Sequence, residues 1–294
     1  MAKNKISKKK KYALVTGAGT GLGFVTAELL AKNGYTVWGT IIPSQSPKEL
    51  EKIPNVTPLV MDITDPKMVK EGFDLIEKEV GENGLSALLN IAALAAIAGG
   101  IIEGVSEDRI RALMEVNLFG TLRMCQTFLP LLRKYGPARI VNVTTSGCRV
   151  PAPFSGIYAI SKFAVMGITN SLRLELAPFG IQATSIEPAA MDTPMTANPD
   201  ENMAKTWASM PPHIKELYYP KIEYAQSIMN AQMKEADPPI VLAKIILKAL
   251  KKKKMRMRYT GGKGAKHLPK IIRLLGENTF ESMLKKNLKI NPTK

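Results

Sequence analysis

Histidine and cysteine are the scarcest chemistry-bearing residues of this 294-residue chain, with two of each: His213, His267, Cys125 and Cys148. Neither pair has the spacing of a metal-ligand cluster, so a metal site is not expected, and a serine-hydrolase triad would need its base from weakly patterned segments. Two cysteines are also too few for a disulfide scaffold, and both are expected to be buried free thiols in a reducing compartment. Long apolar runs are missing as well. Apolar residues make up 45% of the chain and charged ones 22%, yet no run approaches the roughly 20 residues a bilayer needs. The basic start, MAKNKISKKKK, leads into a strand-like YALVTG rather than the apolar helix and cleavage site of a secretory signal. These absences leave a cytoplasmic globular protein of one large or two small domains.

Acid is nearly absent from the two ends. Residues 1–11 hold six lysines and no carboxylate, residues 248–294 hold 15 Lys and Arg against Glu277 and Glu281, and of the net +16 the middle contributes −3. Such clusters attract phosphate backbones or anionic headgroups. Aromatic residues do not interleave with the lysines as a single-strand stacking surface requires, so no nucleic acid partner is expected. The ends are read as solvated, with at most weak peripheral membrane contact through the basic, partly amphipathic KAKHLPKIIRLLG.

Apolar runs alternate with helical periods through most of the chain. Strands are expected at 12–16, 35–41, 56–61, 86–90, 139–145 and 181–187, and helices at 22–34, 66–80, 106–134 and 155–176. Strands this apolar, separated by helices, fit an α/β fold: one doubly wound, Rossmann-type parallel sheet covered on both faces. From about 190 the Met-, Pro- and aromatic-rich sequence loses its period, and 190–237 reads as a substrate loop or lid. A helix near 238–251, a strand at 255–259 and basic amphipathic helices within 266–288 follow. The domain reading is a basic tail 1–11, a dinucleotide-binding and catalytic domain 12–260, and a basic helical extension 261–294.

Directly after the first strand stands Thr16-Gly17-Ala18-Gly19-Thr20-Gly21-Leu22-Gly23, opening into a helix. Glycines let the backbone turn sharply and approach a pyrophosphate, whose charge meets the unpaired N–H groups of the helix start. Placed inside a β-α-β run, the turn predicts a dinucleotide site. The second strand ends in Ile41 and Ile42, where an acid would select NAD over NADP; Lys48 is the nearest cation, and Thr40, Ser44 and Ser46 are neutral donors. Neither NAD nor NADP is preferred by these residues. Asp62, after the third strand, is placed either to accept from an adenine amino group or to cap the helix beginning near Asp65 and Pro66.

Tyr158 and Lys162 stand four apart on a predicted helix, hence on one face. A tyrosine of ordinary pKa about 10 exchanges protons poorly at neutral pH unless a cation such as Lys162 stabilises its phenolate. A hydroxyl among Thr144, Thr145 and Ser146 would hold the substrate oxygen beside Tyr158.

Together these residues resemble the short-chain dehydrogenases/reductases. The resemblance runs from about residue 11 to 260 and rests on Thr16 to Gly23, Asp62, Asn90, Asn117, the YxxxK pair Tyr158 and Lys162, and Pro188 with Thr193 as the PGxxxT segment. RIVNVTTSGCRV, SLRLELAPFG and SIEP are most similar to the retinol, hydroxysteroid and 3-hydroxybutyrate dehydrogenase branch. The resemblance implies NAD or NADP held by Thr16, Gly17, Gly19, Thr20, Gly21, Leu22, Gly23, Ile41, Asp62, Ile63, Asn90, Ala92, Tyr158, Lys162, Pro188 and Thr193. It implies reversible hydride transfer with Tyr158 exchanging the proton, Lys162 lowering its pKa and binding ribose, Asn117 supporting a water-linked proton path, and a homodimer or homotetramer. Three positions depart from the family. The usual catalytic serine is Thr145, by its spacing of 13 before Tyr158, with Ser146 in reserve; NNAG is Asn90-Ile91-Ala92-Ala93; and PG is Pro188-Ala189. Met191, Met195, Met203, Trp207 and Met210 are read as an adaptable apolar wall for a hydrophobic alcohol or ketone. The alternative is a non-catalytic dinucleotide sensor or scaffold docking through its basic ends.

Overall fold

The computed structural model describes residues 9–95, 100–149, 155–194, 196–265 and 267–290; Lys8 and Met195 lie outside the described residues. The elements are β1 (Lys11–Val15), α1 (Gly21–Ala31), β2 (Tyr35–Ile41), α2 (Lys48–Glu51), β3 (Val56–Val60), α3 (Pro66–Val80), β4 (Ala87–Asn90), α4 (Glu107–Met114) and α5 (Thr121–Tyr135). There follow β5 (Arg139–Val143), α6 (Gly156–Glu175), β6 (Gln182–Pro188), α7 (Pro199–Ala208), α8 (Pro212–Lys234), α9 (Pro239–Leu250), β7 (Arg258–Gly261), α10 (Leu268–Leu275) and α11 (Glu277–Asn287).

The strands form one seven-stranded sheet in the order β3-β2-β1-β4-β5-β6-β7, and every pairing is parallel. Period-two alternation assigns each strand's side chains to two cores. From β1, Tyr12 and Leu14 join a core with residues of α3, α5 and α6, while Ala13 and Val15 join another with residues of α1 and α9. The sheet is thus a middle layer between two layers of helix. Local chemistry starts the helices: Asp65 accepts from Lys67 N and Met68 N ahead of Pro66, which closes the first turn of α3. The winding reverses between β1 and β4, and the C-terminal ends of those neighbours are where such sheets hold ligands.

Three stretches differ from expectation. The helix expected over 106–134 is interrupted by a π-helical segment, Glu115–Gly120. Its Gly120 lies against Ile63, where a Cβ would come within 2.8 Å of Ile63 Cδ1; a widened turn leaves no mark in apolar periodicity. The segment read as a substrate loop or lid without a clear period holds α7 and α8, each opening on a proline of its first turn. At a helix start, where Pro199 and Pro212 stand, proline loses no hydrogen bond, so a proline-rich stretch can still be helical. The last strand is β7, three residues beyond the start expected for it, and buried Met255 precedes it with its N–H donating to Gln182 Oε1 at 2.7 Å. Among the described residues no helix is long and apolar enough to cross a membrane.

Candidate active site

The turn from β1 into α1 is a backbone cradle. Gly17 and Gly21 have φ of +66° and +55°, and a Cβ on Gly23 would stand 2.0 Å from Gly17 O, which holds the helix start hard against the turn. Thr20 precedes α1 without a side-chain cap, and the helical ladder begins with Phe24 N donating to Thr20 O at 3.2 Å. The first-turn N–H groups, those of Leu22 among them, therefore have no partner in that ladder. Glycine backbone close enough for a pyrophosphate and a helix start with uncommitted donors fit the dinucleotide that the turn predicts.

Several residues expected at the cofactor also have bonds or packing within the fold. Thr16 Oγ1 accepts from Ile91 N and Ala92 N, both at 3.0 Å, and donates to Leu89 O at 3.4 Å, fastening the turn to the end of β4. Ala92 lies under Gly17, where a Cβ would come within 2.8 Å of its Cα. Thr40 on β2 accepts from Gly17 N at 3.1 Å, while Ile41 beside it is buried in the core. Asp62 is not the helix cap, a role held by Asp65; its Oδ1 accepts from Thr64 N and Thr64 Oγ1, both at 2.8 Å. Ile63 is buried and its carbonyl accepts from Arg123 Nη1 at 2.6 Å. Asn90 is buried, its amide donating to Asn142 Oδ1 at 2.8 Å across β4 and β5, and Asn142 donates on to Thr169 Oγ1 of α6 at 2.9 Å. Sequence reading missed Gln45, whose carboxamide lies over Gly19, 2.6 Å from the position of a Cβ there, with Ile42 N donating to its Oε1 at 3.3 Å.

The reactive pair lies on α6 at the C-terminal end of β5. Lys162 is 2% exposed and its Nζ donates to Val143 O, the last residue of that strand, at 3.0 Å. The ammonium stands 5.7 Å from the Tyr158 ring centre. Burial dominates both groups: it pushes Tyr158 up to about 12, with Cys148 adding to the rise, and Lys162 down to about 8. The expected lowering of Tyr158 by Lys162 is therefore not what this site shows. Loss of water outweighs an ammonium already held by a strand carbonyl.

Asn117 sits in the π-helical segment with its side chain fully engaged. Its Oδ1 accepts from Leu94 N at 2.8 Å, and its Nδ2 donates to Leu94 O at 3.1 Å and Ser161 Oγ at 3.0 Å. Ser161 in turn donates to Tyr158 O at 2.8 Å, a link that no sequence signal marked. Of the three candidate hydroxyls, Thr144 is buried and donates to Ile186 O at 3.1 Å. Thr145 is extended and accepts from Gly147 N at 3.2 Å, capping a short 3-10 turn over Ser146–Cys148. On the far side, Pro188 ends β6, and Thr193 lies over the phosphate turn, its Cβ 3.3 Å from where a Gly21 Cβ would be.

The family model for short chain dehydrogenase matches residues 11–204. The chain belongs to that family. It is 35% identical over 185 residues to a 3-ketodihydrosphingosine reductase of Bacteroides thetaiotaomicron, a match spanning 63% of this chain and 65% of that one. It is 30% identical over 269 residues to retinol dehydrogenase 5 of Mus musculus, covering 87% of this chain and 82% of the relative. Among solved structures it superimposes on a short chain dehydrogenase from Burkholderia cenocepacia J2315 in complex with NADP, with a TM-score of 0.70, 25% identity, and 97% of this chain and 99% of that one covered. Family and fold make the protein an NAD(P)-dependent oxidoreductase of alcohols or carbonyls.

Within this short-chain dehydrogenase the described methionines of that reading, Met191, Met203 and Met210, do not share one core. Met191 packs into the main core beside β6, whereas Met203, Trp207 and Met210 join Ile214 and Tyr219 in a separate small core. Trp207 donates to Gln226 Oε1 at 2.8 Å, tying α7 to α8. Side chains read as a substrate surface mainly close a helical hairpin on itself.

Thr145 and Ser146 make separable predictions. If Thr145 orients the substrate oxygen, Thr145→Val should lower turnover about a hundredfold, the usual loss for one positioned hydrogen-bond donor, and Thr145→Ser should restore most of it. Ser146→Ala should stay within about threefold. Steady-state turnover of the three variants checks this, and the reverse ranking transfers the role to Ser146.

Proposed function

We propose that the protein catalyses reversible hydride transfer between a nicotinamide dinucleotide, NAD or NADP, and an apolar alcohol or ketone. The observation that carries this reading is the bond from Lys162 Nζ to Val143 O, which fastens the Tyr158 and Lys162 face of α6 to the strand end bearing Thr145. The bound nicotinamide would supply or accept the hydride at its ring. In this reading the first turn of α1 holds the pyrophosphate, and Lys162 and Thr193 hold the ribose and the carboxamide. Tyr158 gives or takes the proton at the substrate oxygen, and Thr145 orients that oxygen. The Asn117 side chain is engaged and its carbonyl already accepts from Thr121 Oγ1 at 2.8 Å, so support of a proton path falls to the second lone pair of that carbonyl.

Substrate class rests on the relatives' names, one a 3-ketodihydrosphingosine reductase and the other a retinol dehydrogenase. It rests also on the position of α7 and α8 directly after Thr193, where they would close over the substrate. Homo-oligomerisation is part of the proposal: Phe119, Ile160 and Phe163 are 49%, 49% and 41% exposed, and a solution mass of one 32.1 kDa chain overturns it. The decisive assay offers the purified protein NADH or NADPH with aldehydes, steroids, retinoids and long-chain ketones. Turnover of the apolar carbonyls supports the reading. Dinucleotide binding without turnover of any of them makes the protein a sensor.

A further inference from the structure

Helix α10 has the sequence of a helix that covers a core, and it buries no residue. Leu268, Ile271, Ile272, Leu274 and Leu275 fall within an arc of about 160° at 100° per residue, and Lys270 and Arg273 occupy the remainder with Pro269. In a folded domain such an arc normally faces apolar side chains. Here Leu274 is 85% exposed, the highest value among the large apolar side chains described, and Ile271 is 42% exposed.

The charge around this arc is predominantly positive. Residues 263–290 carry Lys263, Lys266, Lys270, Arg273, Lys285, Lys286 and Lys289 against Glu277 and Glu281, and Glu281 is paired with Lys285 at 2.5 Å. The segment is also fixed beside the candidate site. Gly262, just before it, lies against Ala189 and Met191, where a Cβ would come within 2.8 Å and 2.9 Å of their side chains. Lys263 N donates to Asp237 Oδ2 at 2.6 Å, and Lys289 Nζ stands 4.2 Å over the Tyr224 ring of α8. Helix α8 itself leaves Leu217, Tyr224 and Met233 at 49%, 43% and 37% exposure.

We propose that α10, with α11 beside it, docks the protein on an anionic lipid surface, with Ile271 and Leu274 entering the interface and the surrounding lysines meeting the headgroups. Apolar side chains backed by cations of one sign match the two attractions that hold an interfacial helix. Docking of this kind turns the α8 side of the molecule toward the bilayer. An apolar alcohol or ketone could then pass between lipid and enzyme without crossing water, a consequence that rests on the substrate class proposed above.

A second basic face serves as the internal comparison. At the N-terminal ends of the strands, opposite the candidate site, Lys9 donates to Tyr135 O at 2.8 Å and Arg139 to Lys252 O at 3.3 Å. The fold thus brings Lys9, after the chain's basic start, and the lysine run Lys251 to Lys254 to the same end of the sheet. Tyr12 and Tyr35 of that end are buried, leaving it to act through charge, which salt screens.

The test is co-sedimentation of the full chain with vesicles of phosphatidylcholine alone or mixed with phosphatidylserine, at low and physiological salt. Binding is expected to the mixed vesicles and to persist at physiological salt. Ile271→Ser with Leu274→Ser, and separately Lys270→Glu with Arg273→Glu, should each weaken it at least about tenfold. Melting temperature and turnover of a water-soluble carbonyl should remain unchanged in both, since all four side chains are exposed. Charge reversal of Lys251 to Lys254 should leave binding within about threefold. No binding to anionic vesicles, full binding by both α10 variants, or loss of binding only on reversal of Lys251 to Lys254 overturns the proposal. So does a fall in solution mass of the Ile271/Leu274 variant with vesicle binding intact, which would put a second copy of the chain on this face. Sedimentation needs no turnover, so an inactive protein that binds would fail the hydride-transfer reading alone.

Discussion

Tyr158→Phe is expected to lower turnover about a thousandfold while leaving dinucleotide affinity within about twofold. The substitution removes one oxygen from a partly buried ring on α6 and disturbs no described hydrogen bond of that side chain, so the fold and the glycine cradle have no reason to change. What is lost is the proton exchanged with the substrate oxygen, an interaction made only as the reaction proceeds. Lys162 behaves differently. Its removal takes away the cation beside the ring and the donor to Val143 O, so Lys162→Met should weaken both turnover and dinucleotide binding. Lys162 also titrates at about 8 in the folded protein against an ordinary 10.5. Between those values only the unfolded chain keeps the proton, so this group adds stability as pH rises from about 8 toward 10. Lys162→Met should flatten that rise in melting temperature. Turnover of Tyr158→Phe within tenfold of the parent would remove the tyrosine from the mechanism.

What was legible in the chain and what was not divides by range. The βαβ order was legible because apolar runs and helical periods are local, and the glycine turn because its backbone geometry demands glycine within a few residues. The Tyr158 and Lys162 pair was legible because four residues are one helical turn. Strand order was not, since periodicity carries no pairing partner. The Asn90–Asn142–Thr169 chain joins residues 52 and 27 apart and had no local mark. Gln45 over Gly19 is likewise a meeting of two turns. Tyr158 was misjudged in electrostatics because a four-residue spacing reveals a cation and conceals burial. The arc of α10 was read from its sequence, but its lack of cover belongs to the fold.

Glu187→Ala is expected to destabilise the protein by about 3 kcal/mol, the usual loss when one partner of a buried ion pair is removed. Glu187 lies on β6 just before Pro188 and is 0% exposed. Its carboxylate accepts from Arg149 Nε at 2.8 Å and Nη2 at 3.3 Å, and from Thr260 Oγ1 at 3.1 Å, with Arg258 Nε at 3.8 Å. Arg149 directly follows the turn that carries Ser146, Thr260 is on β7, and Pro188 opens the segment leading to Thr193. One carboxylate therefore joins the hydroxyl-bearing turn, β6 and the edge strand β7. Without it, the guanidinium groups of Arg149 and Arg258, which are 22% and 26% exposed, lose their shared carboxylate. Arg149→Met with Glu187→Ala removes charge of both signs, so the double variant should be less destabilised than the sum of the two single changes. Chemical denaturation of the four proteins gives that coupling directly. A loss under about 1 kcal/mol for Glu187→Ala, or strict additivity, would mean that the turn is held by packing and that the ion pair is incidental to the site.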